Sequence, residues 1–135
     1  MYRCVKTCAN ENGEYNMLYI GNAFSLQMMQ EGTVRFQNVH ANAVKQAIAD
    51  SKGAVQFCIG HADTARMAAR SLNVAICNKD CEAFTEEQLF QRVNVNLQSG
   101  DVLYVMQVVG GRLPEGCTEL PEGIQLVWKK VEVLD

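Results

Sequence analysis

The sequence predicts an α/β fold tending to α+β, in which helices flank a mixed β-sheet within a single domain. Short apolar runs typical of strands alternate with helix-like periodicity in the first half of the chain. Strand patterns predominate in the second half. The chain has 135 residues, of which 48% are hydrophobic and 20% charged. This composition is typical of one globular domain and excludes a disordered chain.

The first half of the chain shows a polar start followed by alternating elements. Residues 1–14 lack any periodicity, so we interpret them as an appendage to a domain that spans residues 15–135. In order, the pattern then predicts a strand at 17–20, a short helix at 23–29, a strand at 33–39, a helix at 42–49, a strand at 54–59 and a helix at 62–72.

The second half is predicted to contain one short helix and three strands. Residues 85–88, Thr-Glu-Glu-Gln, form a capping box that predicts the start of a helix. Alternating apolar residues predict strands at 93–97 and 124–133. Residues 102–109 are the most apolar stretch and are predicted to be the central strand, which a pair of glycines ends.

Charge and hydropathy limit the classes of partner. The net charge of −3 argues against a protein that coats long nucleic acids, because such proteins carry a strongly basic face. No run of about 18 apolar residues is present, which predicts no membrane-spanning helix. The polar start lacks the pattern of a secretory signal, so we expect a cytoplasmic protein without a membrane partner.

Six cysteines are expected to be reduced thiols in that compartment. Cys4 and Cys8, and likewise Cys77 and Cys81, share a C-x3-C spacing, and the two pairs could supply the four thiolates of a zinc site. Zinc sites usually have a tighter spacing, so free thiols are the favoured interpretation. We therefore expect neither a metal nor another cofactor.

Two predicted strand ends share a pattern of glycine, polar residues and helix. They are residues 21–25 and 60–64. Ligands collect at the carboxyl ends of strands in open sheets, and a helix N-terminus suits phosphate. The alternative is that each glycine only makes a turn, while Asn22, Ser25 and Asp63 cap helices.

The chain has two histidines, which leaves little choice for acid–base chemistry. His61 follows a glycine at the predicted start of a helix, where it could donate a proton to a departing 5′ oxygen. Alternatively, it is a capping or partly exposed residue without a chemical role. His40 lies between a strand and a helix with no glycine beside it, and we interpret it as structural.

Two arginines lie where a ligand could contact them. Arg92 precedes the strand predicted at 93–97, and Arg112 follows the double glycine, whose backbone could approach a ligand closely. Glu115 could hold the Arg112 guanidinium in position, although a structural ion pair fits the same pattern. Gln107 lies near the end of an apolar strand, where its amide needs a partner, either a backbone group or a ligand.

Four motifs together resemble a known family. They are Asn-Ala-Phe-Ser at 22–25, Ile-Gly-His at 59–61, Arg-Val at 92–93 and Arg-Leu-Pro-Glu-Gly at 112–116. In order and spacing they resemble the viral ring nucleases, the type III anti-CRISPR proteins that degrade cyclic tetra-adenylate. The similarity extends over most of the chain beyond the appendage. Each motif alone is unspecific, and their specificity comes from their common order.

The resemblance implies a homodimer that binds cyclic tetra-adenylate across its two-fold axis. It also implies cleavage without a metal, in which the ligand's own 2′-hydroxyl attacks the adjacent phosphorus and leaves a 2′,3′-cyclic phosphate. The implied catalytic residues are His61 as general acid, Arg112 as stabiliser of the transition-state charge, and Glu115 as its orienting partner or an aid to proton transfer. The implied ligand contacts are Asn22, Ser25, Gly60, Arg92 and Gln107.

Two other functions are compatible with the same residues. A non-cleaving cyclic-nucleotide-binding protein, a sponge or sensor, would use the arginines in the same way, with His61 only forming hydrogen bonds. A regulatory protein would bind a protein or nucleic acid through the sheet edge or the appendage. The acidic net charge argues against nucleic acid in that role.

Overall fold

Five strands and three α-helices are present among residues 17–51, 53–74 and 83–134, the part of the chain that this computed structural model describes. In chain order they are β1 (Leu18–Gly21), β2 (Val34–Val39), α1 (Ala41–Asp50), β3 (Val55–Cys58), α2 (Ala62–Val74), α3 (Glu86–Leu89), β4 (Val102–Val109) and β5 (Gln125–Val133), with one 3-10 turn at Leu26–Met28. The predicted mixed sheet with flanking helices is confirmed. All of these elements except the 3-10 turn match a predicted element to within two residues.

The five strands form one sheet in the order β2-β5-β4-β1-β3. Strand β4 is central, as its apolar character predicted. Strands β3, β1 and β4 run parallel, and β5 pairs antiparallel with both β4 and β2. The carboxyl ends of the three parallel strands therefore meet at one edge of the sheet, which is where open sheets place ligands.

One face of the sheet packs against the helices. Helix α2 buries Ala65, Ala68 and Leu72, spaced as one helical face requires, against a core that includes Ile20 and Met106 from the sheet. Helices α1 and α3 contribute to the same core. This arrangement fixes α2 beside the carboxyl ends of the parallel strands, and it fixes the start of α2 directly after β3.

The opposite face of the sheet is covered by irregular segments. Its buried residues include Leu103, Val105 and Val131, against which Met28 and Val95 pack. Because side chains alternate between faces along a strand, the sheet has a core on each side. The second core joins the residues after β1 to the residues after α3.

Residues 93–97 do not form the strand that their alternation predicts. Val93, Val95 and Leu97 are at least partly buried while the residues between them are exposed, so the alternation correctly predicts burial. No β-ladder forms, and the Leu97 amide instead donates to the carbonyl of Met28. Period-two burial arises here because the segment packs flat on the second core rather than beside another strand.

The helix predicted at residues 23–29 is only the single 3-10 turn at Leu26–Met28. Phe24, Met28 and Met29 pack against the second core instead of following one helical face. The first strand–glycine junction therefore offers no α-helix N-terminus to a phosphate, and only the junction at Gly60 does.

Several predictions concern residues outside the described ones. These are the appendage at residues 1–14 and the four cysteines of the zinc alternative, Cys4, Cys8, Cys77 and Cys81. Among the residues that the structure describes, no helix is both long and apolar enough to cross a membrane.

Candidate functional site

The backbone of Gly60 lies between two of the predicted ligand-binding side chains. The Asn22 side-chain oxygen, just past the end of β1, accepts a hydrogen bond from the Gly60 amide at 3.4 Å. The Arg92 Nε donates to the Gly60 carbonyl at 3.3 Å. The structure thus brings together three residues that are far apart in sequence, at the edge where β1 and β3 end.

Arg92 is carried to this edge by the residues that follow α3. Phe90 forms an isolated parallel bridge with Ile59, and the Gln91 amide donates to the Ile59 carbonyl at 3.1 Å. The Arg92 guanidinium lies over the Phe90 ring, 5.5 Å from its centroid, a geometry that favours a cation. Since Arg92 is exposed, its remaining guanidinium donors face solvent and can bind an anion.

His61 stands at the start of α2 with an exposed side chain. Its carbonyl accepts from the Ala65 amide at 2.9 Å, which is the first hydrogen bond of the helix. Its imidazole makes no hydrogen bond to any residue among those described. The other histidine differs: the His40 Nδ1 accepts from the Asn42 amide at 3.1 Å and caps α1, which confirms its predicted structural role.

A buried carboxylate ties the Arg112–Glu115 loop to the helix of His61. Asp63 is 7% exposed, and both of its oxygens lie 3.2 Å from the Gly116 amide. Arg66, one turn further along α2, donates to Asp63 at 2.9 Å and to the Cys117 carbonyl at 2.7 Å. The Asp63 side chain is therefore not a helix cap but a link between α2 and the loop.

Arg112 and Glu115 are both exposed on that loop. Neither forms a hydrogen bond or an ion pair with any described residue, so the ion pair considered between them is not formed. Catalytic contacts often tighten only when a ligand is bound. The structure places these two side chains on a loop that is anchored to α2, the helix that follows His61, and leaves both available to a ligand.

Gly110 is required by the path of the loop between β4 and β5. Its φ is +100°, and a Cβ at this position would lie 2.3 Å from the Gly123 carbonyl oxygen. The glycine is needed because the two ends of the loop between β4 and β5 pass each other at this point.

A groove of about 380 Å³ opens beside the junction after β1. Its polar lining includes Asn22, Ser25, Gln27 and Asn94, and none of the described residues that line it is charged. Ser25 precedes the 3-10 turn without capping it through its side chain, so its hydroxyl is available to a ligand. The groove therefore offers hydrogen-bond donors and acceptors without charge.

Cys58 forms part of the wall of this groove. Its thiol donates to the Ile20 carbonyl at 3.3 Å, and burial raises its pKa to about 12. The thiol is therefore neutral at physiological pH and contributes no nucleophile. Among the described residues, no three His, Cys, Asp or Glu side chains gather as metal ligands do.

Gln107 lies on β4 at the same edge of the sheet. It is two residues beyond Val105, which pairs with Gly21 at the end of β1. Gln107 is exposed, and its alternation with Val105 puts it on the face that also carries Cys58. Its side-chain amide has no hydrogen-bond partner among the described residues. Because the side chain is exposed, water can satisfy this amide, and it is also accessible to a ligand.

Sequence reasoning missed the side chains that connect these parts. Asp63 was considered only as a cap, and Arg66 and Glu86 were not considered. The spacing of Asp63 and Arg66, three residues apart on a predicted helix, is a signal for an ion pair. No sequence signal indicates that Gly116 is the other partner of Asp63, because that contact depends on the path of the loop.

Comparison with known proteins identifies a family and a set of similar solved structures. The family model described as STIV B116-like matches residues 18–127. The structure of B116 of Sulfolobus turreted icosahedral virus is similar with a TM-score of 0.61 and 19% sequence identity, over 86% of this chain and 98% of that chain. At this identity the structural likeness concerns the fold alone. No curated protein matches the chain.

Proposed function

The chain belongs to the STIV B116-like family, and from this membership and the residues at the β1–β3 edge we propose that it is a ring nuclease. It binds cyclic tetra-adenylate across a homodimer and cleaves it by attack of the ligand's own 2′-hydroxyl, without a metal. The linear products end in a 2′,3′-cyclic phosphate. This reaction would switch off type III CRISPR second-messenger signalling.

The observation that carries the proposal is the setting of His61. The preceding residue, Gly60, is held at its amide by Asn22 and at its carbonyl by Arg92. The His61 imidazole stays exposed without a partner among the described residues. An exposed imidazole at a helix N-terminus, with a guanidinium bound to the carbonyl of the preceding residue, is suited to a phosphodiester.

Phosphate and base would occupy different parts of the edge. Arg92 and the first amides of α2 supply positive charge and N–H donors for a phosphate. The neutral amide and hydroxyl side chains of the groove, such as Ser25 and Asn94, match the uncharged donors and acceptors of a nucleobase. Gln107 adds a further exposed side-chain amide at the same edge.

The proposed chemistry needs one proton donor and local positive charge. The 2′-oxygen forms a bond to phosphorus, the bond from phosphorus to the 5′ oxygen breaks, and the protonated imidazole of His61 gives its proton to that oxygen. The proton of the 2′-hydroxyl passes to Glu115 or to solvent. Arg112 stabilises the charge that develops on the phosphoryl oxygens.

A homodimer explains how so few residues act on a ring. Cyclic tetra-adenylate has internal symmetry, and a two-fold axis through its centre would present each of these residues twice. Each subunit then supplies one His61 and the two arginines, Arg92 and Arg112. The two copies of His61 would face chemically equivalent phosphodiesters.

The proposal is tested by chromatography of cyclic tri-, tetra- and hexa-adenylate after incubation with the protein. We expect cyclic tetra-adenylate to be converted to linear products and a linear tetra-adenylate control to be unchanged. Tight binding of a ring that is recovered intact would refute the enzyme and establish the sponge or sensor instead. Absence of both binding and cleavage would refute both.

A further inference from the structure

We propose that Asp63 and Arg66 are positioning residues of this reaction, which hold the loop of Arg112 and Glu115 against α2, the helix that follows His61. The inference rests on the proposed function, since it concerns the residues assigned to that reaction. Neither Asp63 nor Arg66 contacts the ligand in this account. They act through the loop.

Asp63 joins the two halves of the proposed catalytic set. It follows His61 by two residues, in the first turn of α2. Its carboxylate accepts from the Gly116 amide, one residue beyond Glu115. A buried carboxylate needs such partners, and here they are Gly116 and Arg66.

Arg66 supports Asp63 and holds the loop at a second point. Its guanidinium donates to Asp63, to the Cys117 carbonyl and to Glu86 at the start of α3, the last at 2.9 Å and 3.4 Å. The hydrogen bond to Glu86 is the main cause that raises the pKa of Arg66, followed by its other contacts with the two carboxylates. The planar guanidinium carries five donors in a fixed fork that reaches these separate acceptors, whereas a lysine ammonium offers three donors on a single atom.

The loop needs this support because its glycines give its backbone many accessible conformations. Gly110, Gly111 and Gly116 all have positive φ, and glycines there allow many other conformations. Beyond the Arg66 contact, Arg70 donates to the Thr118 carbonyl. These hydrogen bonds from Asp63, Arg66 and Arg70 of α2, the tethers of the loop, all end on backbone groups of residues 116–118. The side chains of Arg112 and Glu115 are thereby left to the ligand.

The test is a double-mutant cycle on single-turnover cleavage. Asp63→Asn keeps the size of the side chain and one acceptor but removes the charge that holds Arg66. We expect it to slow cleavage by about tenfold to 10²-fold, since a misplacement near 1 Å costs up to that much. The dissociation constant for cyclic tetra-adenylate, measured in the His61→Ala background where the ring stays intact, should change by less than about threefold.

The cycle separates positioning from a merely structural role. In a background that carries both Arg112→Ala and Glu115→Ala, the two residues to be positioned are gone, so Asp63→Asn should slow cleavage further by less than about threefold. An equal loss in both backgrounds would mean that Asp63 contributes only to folding, and it would overturn the proposal. Arg66→Lys should behave like Asp63→Asn in both backgrounds.

Glu132→Gln is the matched control. It breaks another carboxylate–arginine pair, with Arg35 at 3.1 Å between β5 and β2, and should leave the cleavage rate unchanged.

Hydrogen exchange tests the tether without any activity. Asp63→Asn should speed amide exchange in residues 112–118, and Glu132→Gln should not. Unchanged exchange in Asp63→Asn would overturn the tether whatever the protein cleaves. If the wild-type chain leaves every ring intact, the proposed function fails instead, and the exchange result still decides whether Asp63 holds the loop.

Discussion

The Asn22 side chain accepts a hydrogen bond from the Gly60 amide, which lies 38 residues further along the chain. The contact joins the carboxyl ends of β1 and β3, which are parallel neighbours. Asn22 therefore does not cap a helix, which was the structural alternative for this residue. It holds the backbone at Gly60, the residue before His61, and so helps to set the position from which the imidazole would meet a ligand.

Replacing His61 with alanine is expected to slow cleavage of cyclic tetra-adenylate by about 10²–10⁴-fold, because that is the usual contribution of a general acid. Binding should be retained, since the positive charge of Arg92 and Arg112 remains. The measurement is single-turnover cleavage together with the dissociation constant.

The second histidine provides the matched control for that variant. In His40→Asn the cap of α1 is preserved, because asparagine is among the best N-cap residues, and cleavage should proceed at the wild-type rate. Equal rates for His61→Ala and the wild-type protein would refute the assignment of the proton donor.

The elements that carry the site could be predicted from sequence because each has a local signal. Helix α2 follows from the spacing of Ala65, Ala68 and Leu72, and β4 from its apolar run. Residues 93–97 were wrongly predicted to be a strand because alternation reports burial. The residues of a segment do not determine whether a neighbouring strand is present to pair with it.

Replacing Gly110 with alanine is expected to lower the free energy of unfolding by about 2–4 kcal/mol. The reason is the collision of its Cβ with the Gly123 carbonyl oxygen, added to the cost of positive φ. Gly53 also has positive φ, but a Cβ added there would contact nothing within 4 Å. Gly53→Ala should therefore lower the free energy of unfolding by only about 1 kcal/mol. Urea denaturation measures both, and equal losses would contradict the close approach of the loop ends.

Asp101 is expected to be a stabilising buried carboxylate. It is 1% exposed and accepts from the Met17 amide at 2.8 Å and the Gln98 amide at 3.0 Å. Asp101→Ala should lower the free energy of unfolding by about 2–4 kcal/mol, because it leaves the Met17 amide buried without this acceptor. Asp101→Asn keeps one acceptor oxygen and should cost less. The reverse order in chemical denaturation would contradict these contacts.

Cys58 is expected to make stability fall at alkaline pH. Burial raises the pKa of its thiol from 9.0 to about 12, so the unfolded chain loses this proton first as the pH rises. The stabilising contribution is complete below pH 9.0 and is lost between pH 9.0 and about 12. Titration of this thiol lowers the free energy of unfolding by at most about 1.4 kcal/mol per pH unit.

The control for this pH effect is Cys58→Ser. A serine hydroxyl can still donate to the Ile20 carbonyl but does not titrate. Its unfolding free energy should decline less steeply above pH 9.0 than that of the wild-type protein. Identical slopes would mean that the thiol is not buried in solution.

The candidate site could be predicted in its parts but not in its connections. The glycine and polar residues after β1 and β3 indicated the edge, and the structure does bring Asn22, Gly60 and Arg92 together there. The tether from Asp63 to Gly116 spans 53 residues and passes through an irregular loop. Such a contact follows from tertiary packing, which neither helical periodicity nor turn signals encode.

The most direct test of the account is mass spectrometry of the products formed from cyclic tetra-adenylate with EDTA present, in water enriched in oxygen-18. Attack by the ligand's own 2′-hydroxyl adds no water, so the first product should be linear, end in a 2′,3′-cyclic phosphate and carry no heavy oxygen. Recovery of the intact ring, or a first product that contains solvent oxygen at phosphorus, would contradict the proposed reaction.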